Sequence, residues 1–211
     1  MKDLLSHFLN PNIKKPETRD TKEVKIKPAN IDSKIITFQH AELISKWIDK
    51  LEITDEIKSL YEFRLMLRGS RDGFTTKKFH EICDNQSRTV SIIKAKDSNE
   101  ILGGYNPIEW NSNHNYCATK DSFIFSFKDN DRIENCILSR IKNESEAAFN
   151  NEYYGPSFGF RDLILYGNNF YKKSYCRKDN YEKSIREIDD KFSVEEYEIF
   201  QIILLIQLQQ Y

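Results

Sequence analysis

Alternation of apolar and polar side chains with a period of two constrains the fold of this chain more than any other feature. The segment DSFIFSFK shows it most strongly, because Phe123, Phe125 and Phe127 all point to one face of an extended chain. The residues between these phenylalanines point to the opposite face. A strand with such large aromatic side chains needs a second layer that covers them. The segment therefore predicts a buried strand in a layered β-sheet protein.

A second alternating segment, LYEFRLMLRG, predicts a half-buried strand whose apolar face carries Tyr61, Phe63, Leu65 and Leu67. Further strand candidates are RTVSIIKAK, NEILGGYNP, IENCILSRI, DLILYG and VEEYEIFQII. Apolar residues recur at helical spacing in AELISKWIDKLE and in TTKKFHEICDN, where a threonine can cap the helix. Strands outnumber helices by roughly seven to two, and their connections are too short for parallel crossovers. The pattern predicts an α+β fold in which an antiparallel sheet assembly carries a few flanking helices.

The charge balance argues against a nucleic-acid partner. The chain has 211 residues, with 32 Lys and Arg against 33 Asp and Glu, and its formal net charge is -1. Proteins that bind nucleic acids usually carry a basic excess, because neutralisation of phosphates provides most of their affinity. The longest apolar run, IILLI at 202–206, is far shorter than the ~18 residues that cross a bilayer. We therefore expect neither nucleic-acid binding nor membrane insertion.

The first residues of the chain do not have the pattern of an export signal. Their short apolar stretch is interrupted by His7, and no small-residue cleavage site follows it. We therefore expect a cytoplasmic protein whose cysteines are reduced. Residues 10–30 are rich in proline and lysine and poor in large apolar side chains. This composition predicts a disordered tail or linker over residues 1–32 and one domain over residues 33–211.

The stretch GPSFG at 155–159 matches the pattern G-x-S-x-G, which marks the nucleophilic serine of many hydrolases. In those enzymes the serine follows a strand and opens a helix, and the catalytic histidine comes later in the chain. Here the residues after Ser157 predict a strand, and the four histidines, at positions 7, 40, 80 and 114, all precede it. We therefore predict no catalytic role for Ser157. Gly155 and Gly159 are interpreted as residues that let a loop turn tightly into a strand.

Histidine and cysteine residues leave two weaker alternatives. His80–Cys83 and His114–Cys117 are H-x-x-C pairs that could together form a tetrahedral zinc site, although Cys83 falls on the apolar side of its predicted helix. A reactive thiol requires partial exposure and a positive neighbourhood. Cys176 lies beside two basic residues, so Cys176, or else Cys83, is the candidate for a redox-active thiol. The favoured interpretation involves no metal and no cofactor.

Three other segments have both a structural and a functional interpretation. SRDG, with Arg71 and Asp72, is interpreted as a turn in preference to a charged recognition point. The pair Gly103–Gly104 lacks the spacing of a phosphate-binding loop and indicates a bulge or a close backbone approach. The acidic residues of VEEYEIF predict a solvated sheet edge, and they are Glu195, Glu196 and Glu198.

Along the chain, these motifs resemble a TLDc domain. The run LMLRGSRDGFTTKKFHEICDN is followed by TVSIIKA, NEILGGYNPIEW, DSFIFSF, YGPSFGF, DLIL and EEYEIFQI. The resemblance covers residues 33–203 and is greatest to the expanded fungal set in which TLDc follows BTB/POZ and BACK modules, which we expect to be absent here. The positions that carry the resemblance, with expected structural or interaction roles, are Arg71, Asp72, Gly73, Phe74, Phe79, Cys83, Gly103, Gly104, Tyr105, Trp110, Gly155 and Gly159.

The resemblance to TLDc domains implies a fold of two antiparallel sheets packed as a sandwich, with helices at its flanks. It implies no catalytic residue. TLDc proteins are associated with protection against oxidative damage, and several bind the vacuolar proton-pumping ATPase. The resemblance therefore implies a protein-interaction domain whose partner is the peripheral part of that pump. The alternative is a redox-active thiol protein or enzyme of oxidative-stress defence that uses Cys176 or Cys83.

Overall fold

In the computed structural model of the chain, residues 31–128, 133–167, 170, 174–187 and 191–207 are described. The predicted tail or linker therefore lies outside the described residues, apart from Ile31 and Asp32. The α-helices in these ranges are α1 (Phe38–Ile48), α2 (Gly69–Asp72) and α3 (Thr76–Cys83), and two short 3-10 helices span Ile133–Asn135 and Glu144–Glu146. Among the described residues, no helix has the length and apolar composition that crossing a bilayer requires.

The strands form two antiparallel sheets of six strands each. In chain order, strands β1 to β12 are Ser59–Arg68, Thr89–Ala95, Ile101–Asn106, Tyr116–Cys117, Phe123–Phe127, Cys136–Arg140, Ala148–Phe149, Tyr154–Phe158, Leu163–Tyr166, Ser174–Tyr175, Lys191–Phe192 and Val194–Gln207. The first sheet has the order β1-β12-β2-β3-β5-β6, and the second has the order β11-β10-β9-β8-β7-β4. The predicted α+β fold, an antiparallel sandwich with a few helices, is therefore confirmed.

The strand candidates of the sequence correspond to β1, β2, β3, β5, β6, β9 and β12. The two helix candidates correspond to α1 and α3, and the Thr75 hydroxyl caps α3 by accepting the N–H of Lys78 at 3.2 Å. Five strands of the second sheet were not predicted as strands: β4, β7, β8, β10 and β11. Four of these have only two residues each, which is too few to show a period.

Helix α1 covers the outer face of the first sheet. It begins after Thr37, whose backbone N–H donates to Nδ1 of His40 at 3.1 Å, so His40 has the position that Glu or Gln takes in a capping box. Further along the helix, Trp47 lies against the three phenylalanines of β5, with ring centroids 6.1, 5.4 and 5.8 Å away. The aromatic face predicted for this strand is thus buried under a helix.

The inner face of the first sheet packs against the second sheet. Residues of β2, β3 and β5 point into this interface, where they meet side chains of β8 and β9. Five members of this core that are almost completely buried are Ile93, Leu102, Ile124, Phe158 and Leu165. Each side chain of this kind stabilises the fold by about 2 kcal/mol relative to an exposed position. The first sheet is therefore covered by apolar side chains on both faces.

A β-bulge at Met66 divides strand β1 between the two cores. In the pairing of β1 with β12, the register shifts by one residue between Leu65 and Leu67. Tyr61, Phe63 and Leu65 pack into the cluster under α1, whereas Leu67 is fully buried between the sheets. The prediction that Leu67 shares a face with the other three residues is wrong, because the extra residue of a bulge reverses the alternation.

The solvated edge predicted for VEEYEIF is wrong, because β12 is an inner strand between β1 and β2. Glu195 is exposed, but Glu198 is completely buried. Oε1 of Glu198 accepts a hydrogen bond from Nε of Arg68 at 2.6 Å and another from the backbone N–H of Lys34 at 2.9 Å. Arg68 also forms an ion pair of 2.8 Å with Asp32. These contacts join the chain before α1 to the first sheet.

Candidate interaction surface

The outer face of the second sheet carries a row of aromatic side chains that crosses five strands. The row, which we call the aromatic stripe, consists of Tyr116, Phe149, Tyr154, Tyr166 and Tyr175. Successive ring centroids are 4.7, 5.8, 5.3 and 6.2 Å apart. On the adjoining strand β11, Nζ of Lys191 lies 5.7 Å from the ring centroid of Tyr175. A continuous line of ring contacts thus spans the sheet.

The aromatic stripe is half-buried. Tyr116 keeps 37% of its surface exposed, and the other four rings are of intermediate exposure. Cross-strand aromatic pairs stabilise a sheet by about 0.2–1 kcal/mol each, so the ring contacts help to hold these short strands together. The phenols of Tyr116 and Tyr154 are protonated near neutral pH, as tyrosine side chains ordinarily are, and burial raises the pKa of both further. The stripe therefore offers solvent both apolar ring surface and hydrogen-bond donors.

Two loops beside β8 add exposed aromatic side chains. Tyr153 immediately precedes β8 and is 60% exposed, and Phe160 follows the strand and is 49% exposed. Cζ of Arg161 lies 4.5 Å from the ring centroid of Phe160. Arg161 is also close enough to Tyr154 to lower the pKa of that phenol, against the larger effect of burial. Exposed aromatic rings next to an arginine are typical of protein-interaction sites.

Arg71 and Asp72, in α2, form an ion pair with each other. Nη2 of Arg71 donates to Oδ2 of Asp72 at 2.8 Å and to the carbonyl of Met66 at 2.9 Å. The same carboxylate accepts the backbone N–H of Arg68 at 2.9 Å. The hydrogen bond from Arg71 lowers the pKa of Asp72. The pair thus closes the turn after β1 and provides a partner for the carbonyl at the bulge.

The next two motif residues, Gly73 and Phe74, fix this turn to the core. Gly73 has a φ of +115°, a conformation that favours glycine, and its carbonyl accepts the hydroxyl of Tyr197 at 3.1 Å. The ring of Phe74 lies 5.6 Å from that of Tyr197. In the segment Arg71–Phe74, Arg71 has the one exposed side chain.

Phe79 and Trp110, which are far apart in the sequence, meet in the core between the sheets. Their ring centroids are 5.5 Å apart at 73°, and the ring of Phe158 lies 5.6 Å from Trp110 at 88°. Nε1 of Trp110 donates to the hydroxyl of Thr89 at 2.7 Å, so this buried indole is satisfied. Cys83 is fully buried in the same core, and burial raises the pKa of its thiol.

The pair Gly103–Gly104 allows two phenylalanine rings to lie directly on strand β3, one on each face. A Cβ atom on Gly103 would overlap the ring of Phe125, and one on Gly104 would lie 2.6 Å from the ring of Phe158. The register of β2 and β3 is continuous, so the pair marks a close approach and no bulge. Tyr105 follows on the side of α1, is 5% exposed, and contacts another ring of β5.

The GPSFG stretch forms strand β8 and the start of the turn into β9, so the expectation of a loop at Gly155 is wrong. Gly155 packs under Phe170, because a Cβ there would lie 2.7 Å from the ring. Ser157 is completely buried, and its hydroxyl has no hydrogen-bond partner among the described residues. Gly159 has a φ of +61°, and a Cβ there would overlap the carboxylate of Asp162.

Asp162 organises this turn from a buried position. It is 1% exposed, and its carboxylate accepts backbone N–H groups of Asp179, Asn180 and Tyr181 at 2.9–3.0 Å. The side chain of Asn180 in turn accepts the N–H of Phe160 at 2.8 Å. Burial raises the pKa of Asp162, although the three N–H groups favour its ionised form. The loop that presents Phe160 is thus held by a buried polar network.

The family profile of the TLDc domain matches residues 29–203, which is most of the chain. The chain belongs to the TLDc family. The matched range includes the aromatic stripe, α1, α2, α3 and both sheets as far as they are described, apart from the last residues of β12. No curated protein matches the chain at a significant level.

The TLDc domain also brings together a serine, a histidine and an aspartate that the sequence did not associate. Nδ1 of His80 lies 2.7 Å from Asp84 and 3.1 Å from the hydroxyl of Ser112. A catalytic triad needs the serine and the acid on opposite nitrogens of the ring. Here both lie at Nδ1, and Nε2 contacts the carbonyls of Asn151 and Tyr154 at 3.0 and 2.9 Å. The cluster holds α3 against the loop before β8.

The thiols proposed for redox chemistry lie inside the TLDc domain. Cys83 is 0% and Cys176 is 2% exposed, and Sγ of Cys176 contacts the carbonyl of Asp162 at 3.1 Å. Neither thiol has the exposure that reactivity requires. The His80–Cys83 pair is also divided, because Cys83 points into the core while His80 binds Asp84. Within the described ranges, no group of three or more His, Cys, Asp or Glu is placed to hold a metal ion.

Proposed function

We propose that this TLDc domain is a non-enzymatic protein-interaction domain of the fungal cytoplasm that binds the peripheral subunits of the vacuolar proton-pumping ATPase. Membership of the TLDc family supports an interaction domain of the oxidation-resistance type. The observation that carries the proposal is the aromatic stripe, with Tyr153 and Phe160 exposed beside it. The buried hydroxyl of Ser157 and the fully engaged ring of His80 support a role without catalysis.

The physical reason for choosing this surface is its composition. Tyrosine, phenylalanine and arginine are enriched at the centres of protein interfaces, and lysine and glutamate are depleted there. Rigid aromatic side chains lose little conformational entropy when a partner covers them. Phe160 is additionally held by the buried network around Asp162 and by the stacked guanidinium of Arg161. A preorganised ring of this kind binds with a smaller entropic cost than one on an unsupported loop.

Binding of the full chain to purified peripheral subunits of the pump tests the proposal. We expect Tyr153→Ala combined with Phe160→Ala to weaken binding about 30-fold or more, because a central aromatic anchor contributes ~2 kcal/mol or more to affinity. Surface plasmon resonance at physiological salt, with the pump subunits immobilised, measures the change in dissociation constant.

A matched control is available on the other side of the molecule. Phe38 begins α1 and is 40% exposed, so Phe38→Ala removes a similar exposed ring from the first sheet's side. We expect this variant to bind like the unmodified chain. Equal losses for both variants would contradict the assignment of the surface, and failure of the unmodified chain to bind would contradict the assignment of the partner.

A further inference from the structure

Strand β1 is the first strand of its sheet, and one of its edges is open in the part of the chain that the structure describes. It has ten residues and pairs with β12 alone. At the C-terminal end of β1, the carbonyl of Met66 accepts a hydrogen bond from Arg71, and the backbone N–H of Arg68 donates one to Asp72. Within the described residues, the backbone of residues 61–65 has no hydrogen-bond partner other than β12. An open edge of this length is a template for another strand.

The regular part of this edge is short and symmetric about one residue. The register of β1 with β12 shifts between Leu60 and Tyr61 and again between Leu65 and Leu67. The bulge at Met66 lies in β1 and ends the regular edge on that side. On the other side the extra residue is Leu205 of β12, which bends the pair of strands, so the regular part of the pair is residues 61–65. Phe63 is the central residue of that stretch, and its ring packs on Phe200 with centroids 6.1 Å apart.

The same five residues are complementary to themselves in the antiparallel direction. When Phe63 of one copy lies opposite Phe63 of a second copy, Glu62 of each copy lies opposite Arg64 of the other. Both of these side chains are exposed. On the opposite face, Tyr61 lies opposite Leu65, so apolar residues also meet apolar residues. Cross-strand pairs of opposite charge and pairs of apolar side chains both stabilise a sheet.

We propose that β1 pairs with β1 of a second copy of this chain, around a two-fold axis at Phe63. The pairing joins two first sheets into one continuous sheet and gives an isologous dimer. A second copy of the chain fits this edge, because in an antiparallel pair of β1 strands each Glu62 faces an Arg64. A contact based on five residues per chain is small, so the association is weak and reversible. The dimer does not rest on the proposed pump partner.

Sedimentation velocity of the full chain over a series of concentrations tests the dimer. We expect the mass to rise with concentration from 25.0 kDa towards twice that value. Glu62→Arg places like charges opposite each other twice in every dimer, so it should raise the dimer dissociation constant about tenfold or more. Arg64→Glu should do the same. The double variant Glu62→Arg/Arg64→Glu restores opposite charges and should dimerise like the unmodified chain.

Glu144→Arg is the matched control, because Glu144 is exposed in the other part of the sandwich and the change in charge is the same. A chain that stays monomeric at every concentration would overturn the proposal, as would a double variant that fails to recover dimerisation. Hydrogen exchange distinguishes a second copy from another segment of the same chain as the partner of the β1 edge. The N–H of Ile202 bonds to the carbonyl of Arg88, so its partner Phe63, and with it Tyr61 and Leu65, direct their N–H groups to the open edge. Protection of these three N–H groups that does not depend on concentration would assign the edge to another segment of the same chain and would also overturn the proposal.

Discussion

Strands of the first sheet are five to fourteen residues long, whereas those of the second sheet have two to five residues. The first sheet has an apolar cluster on each face, one under α1 and one between the sheets. The second sheet has one face in the core, and its other face carries the aromatic stripe. Long alternating strands specify the first sheet, whereas individual ring contacts and buried hydrogen bonds specify the second.

Two buried carboxylates show the difference most directly. Glu198, on the first sheet, is neutralised by the guanidinium of Arg68. Asp162, in the second sheet's turn, is held by three backbone N–H groups. A pair of side chains can be replaced by two apolar side chains, but backbone donors remain whatever residue replaces the acid. In the described part of the chain, Glu198 has one backbone donor, the N–H of Lys34, whereas Asp162 has three. Replacement of the first carboxylate together with Arg68 should therefore cost less than replacement of the second.

Removal of Arg68 is expected to have the largest effect. Arg68→Met leaves the carboxylate of Glu198 buried without its cation, and breaking a buried pair in this way costs about 3–5 kcal/mol. We therefore expect the free energy of unfolding to fall by about 4 kcal/mol. Urea denaturation followed by tryptophan fluorescence measures the change. Arg177→Met, at an exposed position outside both cores, should change the free energy by less than about 0.5 kcal/mol.

The double variant Arg68→Met/Glu198→Leu sharpens this test. It removes both charges and fills the space with apolar atoms, which is often neutral or stabilising relative to a buried ion pair. It also leaves the backbone N–H of Lys34 without its acceptor. We therefore expect it to recover part of the stability that Arg68→Met loses. A double variant as unstable as the single one would show that this carboxylate, like Asp162, has a role that no apolar pair can take.

Asp162→Ala should have the next largest effect, and a local one. The substitution leaves three backbone N–H groups without their acceptor, and a buried unsatisfied donor costs about 1–3 kcal/mol, so we expect a total loss of about 3 kcal/mol. Hydrogen exchange should show lost protection at Asp179, Asn180 and Tyr181. Asp179→Ala, at an exposed neighbour, is the control and should be nearly neutral. Loss of protection spread evenly over both sheets would contradict a local role for Asp162.

Substitutions of the glycine pair in β3 compare the two faces of the first sheet, because each substitution adds a single methyl group to one face. Gly104→Ala forces the ring of Phe158 to move, and we expect it to cost about 2 kcal/mol. Gly103→Ala displaces the ring of Phe125 and also places its Cβ 2.6 Å from the backbone carbonyl of Ser91, so we expect it to cost about 3 kcal/mol. The two variants should lose protection from hydrogen exchange in different elements. Gly103→Ala should increase hydrogen exchange in α1, whereas Gly104→Ala should increase it in β8. The same exchange pattern for both variants would mean that the two cores do not respond separately.

The sequence predicted the first sheet better than the second for a physical reason. A period of two is visible only in strands of several residues, so β1, β5 and β12 could be recognised and the two-residue strands could not. The sequence predicted either a bulge or a close approach of other atoms to the backbone at Gly103 and Gly104. This was possible because two adjacent residues without side chains are visible in the sequence itself. The side of Leu67 was predicted wrongly, since the bulge at Met66 depends on pairing with a distant strand.

The surface was the least predictable part. The rings of the aromatic stripe come from five separate segments, and each segment contributes one ring that has no distinctive neighbours in the sequence. The need for glycine at position 159 depends on Asp162, whose own partners are 17–19 residues further along the chain. Such contacts arise from the folded arrangement and leave no local pattern.

The extra residue in β1 makes that strand tolerant of a change in chain length at one position. Leu65 and Leu67 pair with Phe200 and Ile199, which are consecutive residues of β12. A chain without residue 66 would therefore keep Leu67 between the sheets and Arg68 beside Glu198, because adjacent residues of a regular strand point to opposite faces. Among descendants of this sequence, both exchanges at position 66 and loss of its codon should therefore be tolerated.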